Sequence, residues 1–216
     1  MNEVIVYVEG RSDQLAMENL LSGLIAEKRL KGIAIKFFEA PRGDKKKRVC
    51  FIIPERAVNI VLNKPNTIVI AMPDFYPPCK GINHDTPALM MADIHALFVT
   101  AVSKKTDNPP ADISDRFKVF CFKHDLESLV LAAHESFNTH LAPCSPPSWD
   151  SWTKPVENQN HDTPPKMIVS KLFSECKKRY TETIDTPAIL GKADYKTLAE
   201  RCPQQFSRFV DYLESL

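Results

Sequence analysis

The sequence predicts an α/β protein, a mostly parallel sheet flanked by helices and followed by a helical C-terminal extension. Three observations predict it. Short runs of β-branched and apolar residues recur four times, bounded by polar or turn-forming residues, as strands buried on both faces do. Segments with apolar residues at helical spacing lie between them. Strands alternating with helices require crossover connections, and crossovers make neighbouring strands parallel. The chain has 216 residues, 44% apolar and 25% charged, enough to bury the core of one sizeable domain.

The first strand is Val4–Val8. It ends at Glu9-Gly10-Arg11-Ser12-Asp13, where a helix begins whose stripe is Met17, Leu20, Leu21 and Leu24. Ser12 suits its N-cap and Asp13 the positive end of its dipole. Ile33–Phe38 is the second strand, followed by a basic run of Arg42, Lys45, Lys46, Lys47 and Arg48 around Gly43 and a helix over 52–62. Thr67–Met72 is the third strand and runs into Pro73-Asp74-Phe75-Tyr76-Pro77-Pro78. A helix over 87–102 and a polar loop over 104–112 come next. The fourth strand, Phe117–Phe122, leads to His124-Asp125-Leu126-Glu127 and a helix through Ala133. These elements define a core of residues 1–140. Residues 141–216 then form an irregular Pro-, Ser- and Asn-rich segment and helices packed on the core, at 166–180 and around Phe206, Phe209, Val210 and Leu213.

The formal net charge is +1, so any basic surface for nucleic acid is local. The six cysteines contain no C-x-x-C pair. That argues against a zinc ribbon or dithiol site and suggests reduced thiols. The N-terminus has no basic lead-in, and its apolar run is too short for a signal peptide or membrane span; the expected location is cytoplasmic, without membrane contact. No G-x-x-x-x-G-K-[ST] loop and no G-x-S-x-G elbow occurs, so the chain is not itself a P-loop ATPase.

Three acids follow strands: Glu9 the first, Asp74 the third and Glu127 the fourth. In a parallel sheet the carboxyl ends of strands share one edge, where ligands bind. Carboxylates converging there repel unless a cation offsets them. Mg²⁺, or Mn²⁺ in its place, takes oxygen ligands and keeps waters that a phosphate can displace. The expected metal set is Glu9, Asp74 and Glu127, with Asp13 and Asp125 as further ligands. Taken singly, an acid after a strand is more often a solvated loop residue or a cap. The basic run can contact phosphates without reading sequence, and is equally well a solvated loop. His124 lies nearest the acids. Trp149 and Trp152 can stack on bases but serve better to anchor a loop.

Val8-Glu9-Gly10-Arg11-Ser12-Asp13 resembles the first motif of Toprim domains, found in topoisomerases, primases and overcoming-lysogenization-defect (OLD) nucleases. There the glutamate after the first strand is catalytic and an Asp-x-Asp motif binds metal. Here the second motif reads Asp74-Phe75-Tyr76. The chain is more similar to small stand-alone bacterial Toprim-like proteins encoded beside an ATPase in anti-phage defence loci, which show Asp-x-Tyr at this place. They also show a motif like His124-Asp125-Leu126-Glu127-Ser128-Leu129 and a C-terminal pattern like Pro155, Glu157, Asn158, Tyr180 and Cys202-Pro203-x-x-Phe206. The resemblance spans nearly the whole chain. It implies a Toprim-like fold and a Mg²⁺-dependent nuclease with Glu9, Asp74 and Glu127 catalytic. It also implies an ATPase partner subunit, DNA or RNA as substrate with Arg11, Arg42, Lys45, Lys46, Lys47 and Arg48 on the backbone, and a homo- or hetero-oligomer. Tyr76 supports the alternative, an inactive Toprim-fold binding subunit of such a complex.

Overall fold

Strand β1 (Asn2–Val8) is buried from Val4 onward, and its alternate side chains enter two different cores. Val4, Val6 and Val8 face one layer, and Ile5 and Tyr7 the other. In the computed structural model, which describes residues 2–216, β1 is flanked by β2 (Ile33–Glu39) and β3 (Thr67–Met72), and β3 by β4 (Phe117–Val119). The order is β2-β1-β3-β4 and every pairing is parallel. This is the α/β architecture the sequence predicts, and all strand C-termini lie along one edge.

The fourth strand is shorter than its pattern. The ladder stops at Val119, and the two chain segments meet again beyond β3 at an isolated bridge between Asp74 and Phe122. Alternation outlasts the ladder, because Cys121 still enters one core and Phe122 the other. The first helix is broken at Leu21 into α1 (Arg11–Leu20) and α2 (Ser22–Leu30), although Met17, Leu20, Leu21 and Leu24 are all buried as the stripe requires. Gly10, not Ser12, is the N-cap, and the Asp13 carboxylate accepts from the Gly10 amide at 2.8 Å.

The basic run folds as a short turn of helix, α3 (Lys45–Lys47), and a π-helical turn (Arg48–Ile52) before α4 (Ile53–Asn63). Pro54 has no N–H for the i−4 carbonyl, so the ladder shifts there. Helix α5 (Pro87–Lys105) packs with α4 over Ile5 and Tyr7.

The opposite face is covered by α1, α2 and the C-terminal half: α6 (Glu127–Ala132), α7 (His134–Leu141), α8 (Pro165–Glu175), α9 (Glu182–Leu190), α10 (Tyr195–Arg201) and α11 (Phe206–Ser215). Helices α7, α9 and α10 were not legible in the sequence. The irregular segment is anchored by Trp152, 5% exposed, and by Trp149 against Phe137 at 5.3 Å. Buried Glu157 accepts from the amides of Gln204 (2.7 Å) and Gln205 (2.8 Å) just before α11. One contact thus explains why Glu157 and the Cys202–Phe206 stretch belong to one pattern.

The cysteines correct the expectation of reduced thiols in part. Cys144 and Cys176 form a disulfide that ties the irregular segment to the end of α8, while Cys50, Cys79, Cys121 and Cys202 are free and buried. Among the described residues no helix is long and apolar enough to cross a membrane.

Candidate acidic site at the strand ends

Because β1 and β3 pair in register up to Val8 and Met72, Glu9 and Asp74 leave the sheet side by side. Glu9 Oε1 accepts from the Asp74 amide at 3.0 Å. Asp13, on the first turn of α1, faces Asp74 across a small cavity of about 10 Å³, lined also by Val8, Met17, Met72, Phe122 and Leu126. That is room for about one water molecule. Asp125 lies beyond them, and its Oδ1 is buried without a hydrogen-bond partner.

Glu127 is set differently. It is 1% exposed, and its Oε1 accepts from the Tyr180 hydroxyl at 2.7 Å and has Lys166 Nζ at 3.8 Å. The Tyr180 hydroxyl also meets that of Thr186. Lys166 is shared with Glu182, which accepts from Ser12 Oγ at 2.6 Å as well. Glu182, Lys166 and Ser12 were not singled out as site residues in the sequence. Glu182 lies at the start of α9, an element the polar spacing there did not reveal; the one nearby signal was Tyr180 in the C-terminal pattern.

The basic run divides. Lys45 turns toward the acids, since a β-carbon on Gly10 would lie 3.1 Å from its Nζ. Lys46 is not a surface cation: it is buried and donates to the carbonyls of Phe75 (3.0 Å) and Pro77. Lys47 pairs with Asp44 at 3.2 Å, Arg48 folds over Gly43, and Arg42 is exposed. Exposed Arg11 donates to Gln14 at 2.8 Å.

Burial raises the carboxyls of Glu9, Asp74 and Glu127 above their ordinary range. Asp13 is pushed up to about 6 by burial, with Glu182 and Glu9 adding to it, and Asp125 to about 7 by burial, with Glu127, Glu182 and Asp13 adding. Glu182 is the exception. Burial opposes its charge, but hydrogen bonds from Lys166 and Ser12 outweigh that and hold it low. Burial also lowers the His124 imidazole, whose Nε2–H donates to the Gln159 carbonyl at 2.8 Å.

Among the described residues no three His, Cys, Asp or Glu side chains are placed to hold one ion. Asp13 and Asp74 share the small cavity, Glu9 is turned to a backbone amide, and Glu127 is engaged with Tyr180. The donor set nonetheless suits a hard cation. All the groups are oxygen donors of the kind Mg²⁺ or Mn²⁺ takes, and Asp125 keeps an orphaned acceptor.

Raised carboxyls set the sign of the pH dependence. Between about pH 4 and 7 the folded chain holds more protons than the unfolded one, so stability falls as pH rises through this window. Without divalent metal the Tm should be higher at pH 5.5 than at pH 8, by about 2–4 °C for each kcal/mol. Below about pH 4 it should drop again, as Glu135, held at about 2 by its hydrogen bonds from Arg201, and Glu182 are protonated. Asp125→Asn should raise the Tm at pH 8. A Tm that climbs steadily from pH 5 to 8 would show that the acids do not crowd one another.

The four-stranded parallel sheet flanked by helices is a Toprim-like fold, with Glu9 and Asp74 at its carboxyl edge. One solved structure shares the fold. Over all of this chain and 98% of the other, it is similar to the C-terminal region of the Burkholderia pseudomallei OLD protein (15% identity, TM-score 0.50). The C-terminal region of the Xanthomonas campestris pv. campestris OLD protein also matches, at 12% identity over 98% of this chain and 95% of that one, with a TM-score of 0.44. The chain belongs to the family described as "Domain of unknown function (DUF4276)", whose model matches residues 8–214. No curated protein matches it.

Proposed function

We propose that this protein is a divalent-metal-dependent, Toprim-type nuclease, acting in the cytoplasm as the effector subunit of an ATPase-containing anti-phage complex. One observation carries the reading: Asp74 at the end of β3 and Asp13 on α1 share a cavity the size of one water molecule, and burial together with the neighbouring Glu9 raises both their carboxyls. Such crowding is unfavourable in an apo protein and becomes useful when a cation binds. Bound Mg²⁺ or Mn²⁺ would activate water and stabilise the leaving oxygen of a phosphodiester. Asp74 and Asp13 would hold it, with Asp125 and Glu127 completing the set. Glu9, whose carboxyl burial raises above its ordinary range, would move the proton of the attacking water or serve as a further ligand. Lys45 over Gly10, with Arg11 and Arg42 outside, would draw the phosphate backbone to the edge.

The test is to incubate the chain, alone and purified with the proposed ATPase partner, with single- and double-stranded DNA and RNA in Mg²⁺, Mn²⁺ or EDTA. Cleavage is expected in the complex and only with divalent metal. Mg²⁺ at a hundred times its Kd should also stabilise the chain by about 2.7 kcal/mol. Equal cleavage in EDTA would refute the metal reading, and a fully active lone monomer would refute the partner.

A second reading has its own support. Tyr76 stands where a second acid would be, and Glu127 is tied into a network with Tyr180 and Lys166. A binding subunit that keeps the fold without the chemistry is what remains if the complex binds nucleic acid and never cuts it. The cytoplasmic placement has a separate check. Protein made in a reducing cytosol should titrate six thiols in denaturant, and the Cys144–Cys176 bond would reduce that to four.

A further inference from the structure

Helix α5 (Pro87–Lys105) is the longest of the described helices and is apolar on two opposite sides. Met90, Ile94, Phe98 and Val102 recur every fourth residue and are buried against the sheet. On the other side Leu89, Ala92, Ala96, Val99, Thr100 and Ser103 are exposed, Leu89 and Val99 at 44% each. At 3.6 residues per turn these six share one stripe about 100° wide. The one charged residue bordering the stripe is Asp93, whose carboxylate accepts from the Asn83 amide at 2.8 Å. Helix α4, beside α5 in the same layer, shows Glu55, Arg56, Asn59 and Asn63 to solvent instead. A helix that is apolar all round is one that is covered all round, and contiguous exposed apolar surface marks an interface.

We propose that the outer face of α5 pairs with the same face of a second copy of this chain, the two helices running antiparallel about a two-fold axis midway between Ala92 and Ala96. Two features of the helix fit its own copy. The first is the distribution of size. Antiparallel pairing about that point sets Ala92 against the second copy's Ala96, and Leu89 against its Val99. The small residues let the backbones approach at the centre, and the larger ones fill the contact on either side.

The second feature is charge. Asp85, just before the helix, and Lys104 and Lys105, at its last turn, are exposed, and among the described residues none of the three is ion-paired within the chain. Antiparallel pairing brings the lysines of each copy to Asp85 of the other, twice over by symmetry, and opposes the two helix dipoles. Parallel pairing would bring like charge to like. A cavity of about 220 Å³ between α4 and α5 lies at the lysine end, lined by Val58, Asn59, Ala101, Lys104 and Lys105, with Glu55 its single acid. The second copy's Asp85 and Pro87 arrive there.

The inference stands apart from the nuclease reading. Helix α5 carries the chain from the carboxyl end of β3 back to the start of β4, so antiparallel pairing leaves the two acidic edges open at opposite ends of the dimer.

Sedimentation equilibrium of the full chain is the test. One helix pair is at the small end of specific interfaces, so a dimer of twice 24.4 kDa with a Kd of roughly 1–100 μM is expected. Ala96→Glu puts a charge at the centre of the contact and should raise the Kd about 100-fold. Because Ala96 is exposed, its Tm in dilute solution should stay within about 2 °C of the parent's. Lys104→Glu and Asp85→Lys should each weaken the dimer about 10-fold, since each sets like charges together at both ends. An equimolar mixture of those two variants should recover most of the parent's affinity, because the mixed pair has opposite charges at both ends. A chain that stays monomeric well above that concentration range overturns the proposal. So does a dimer that Ala96→Glu leaves intact, or a variant mixture no tighter than its components. A monomeric chain that binds the proposed ATPase subunit, and loses it on Ala96→Glu, also overturns self-pairing and assigns the face to that partner.

Discussion

In the proposed complex with an ATPase, Glu9→Gln should lower the rate of the proposed metal-dependent cleavage by about 10²- to 10⁴-fold, the usual contribution of a positioned acid–base group. The substitution is informative because so little else changes. Glutamine keeps the length of the side chain, and its carbonyl oxygen can still accept from the Asp74 amide as Glu9 Oε1 does. It removes one charge from a cluster in which Glu9 raises the carboxyls of both Asp13 and Asp74, so the Tm at pH 8 should hold or rise. Asp74→Asn should behave alike and should also blunt the stabilisation by Mg²⁺. Activity lost with stability kept separates a chemical role from a structural one. Variants that cut as fast as the parent would end the nuclease reading and leave the binding subunit.

Phe209→Ala should cost about 3–5 kcal/mol, which for a chain of this length is a fall in Tm of about 6–20 °C. Phe209 is fully buried on α11 and meets Phe37 of β2 at 6.4 Å and Phe120 at 5.3 Å, both edge-on. The last helix is therefore part of the core that covers β1 and β2, and Val4, Val6, Phe37, Leu172 and Phe206 share one cluster with it. For the same reason a chain ending at residue 140 should show no cooperative unfolding transition, because it would leave that face of the sheet bare. A truncated chain melting near the full-length Tm would show that residues 141–216 are dispensable to the fold.

The C-terminal region also shapes the site. Glu182 and Lys166 come from α9 and α8 and reach Ser12 on α1 and Glu127 on α6. The acidic edge of the sheet is thus closed by residues contributed from the second half of the chain. Charge from that half raises Asp13 and Asp125 through Glu182 and opposes the rise at Asp125 through Lys166. Electrostatics of the site cannot be read from the strand-end acids alone.

What the sequence determined by itself is local. Runs such as Val4–Val8 and Thr67–Met72 specify strands buried on both faces, because nothing else so apolar and β-branched fits so short a segment. The alternation through Phe122 told which side chains face which core even where the ladder lapses. The acids after the strands were legible as candidates, since a parallel sheet gathers its strand ends at one edge whatever its order. Which candidates meet was decided by tertiary structure. The adjacency of β1 and β3 in the order β2-β1-β3-β4 puts Glu9 beside Asp74, and the packing of α8 and α9 engages Glu127 with Tyr180 and sets Lys166 beside it. Lys46 reads in the sequence as one of five similar cations, yet burial and two backbone carbonyls make it structural. The pairing of Cys144 with Cys176 and the stacking of His161 on Tyr76 join residues 32 and 85 positions apart. Such contacts leave no periodic trace along a chain, because they depend on where whole elements pack and not on the propensity of any one of them.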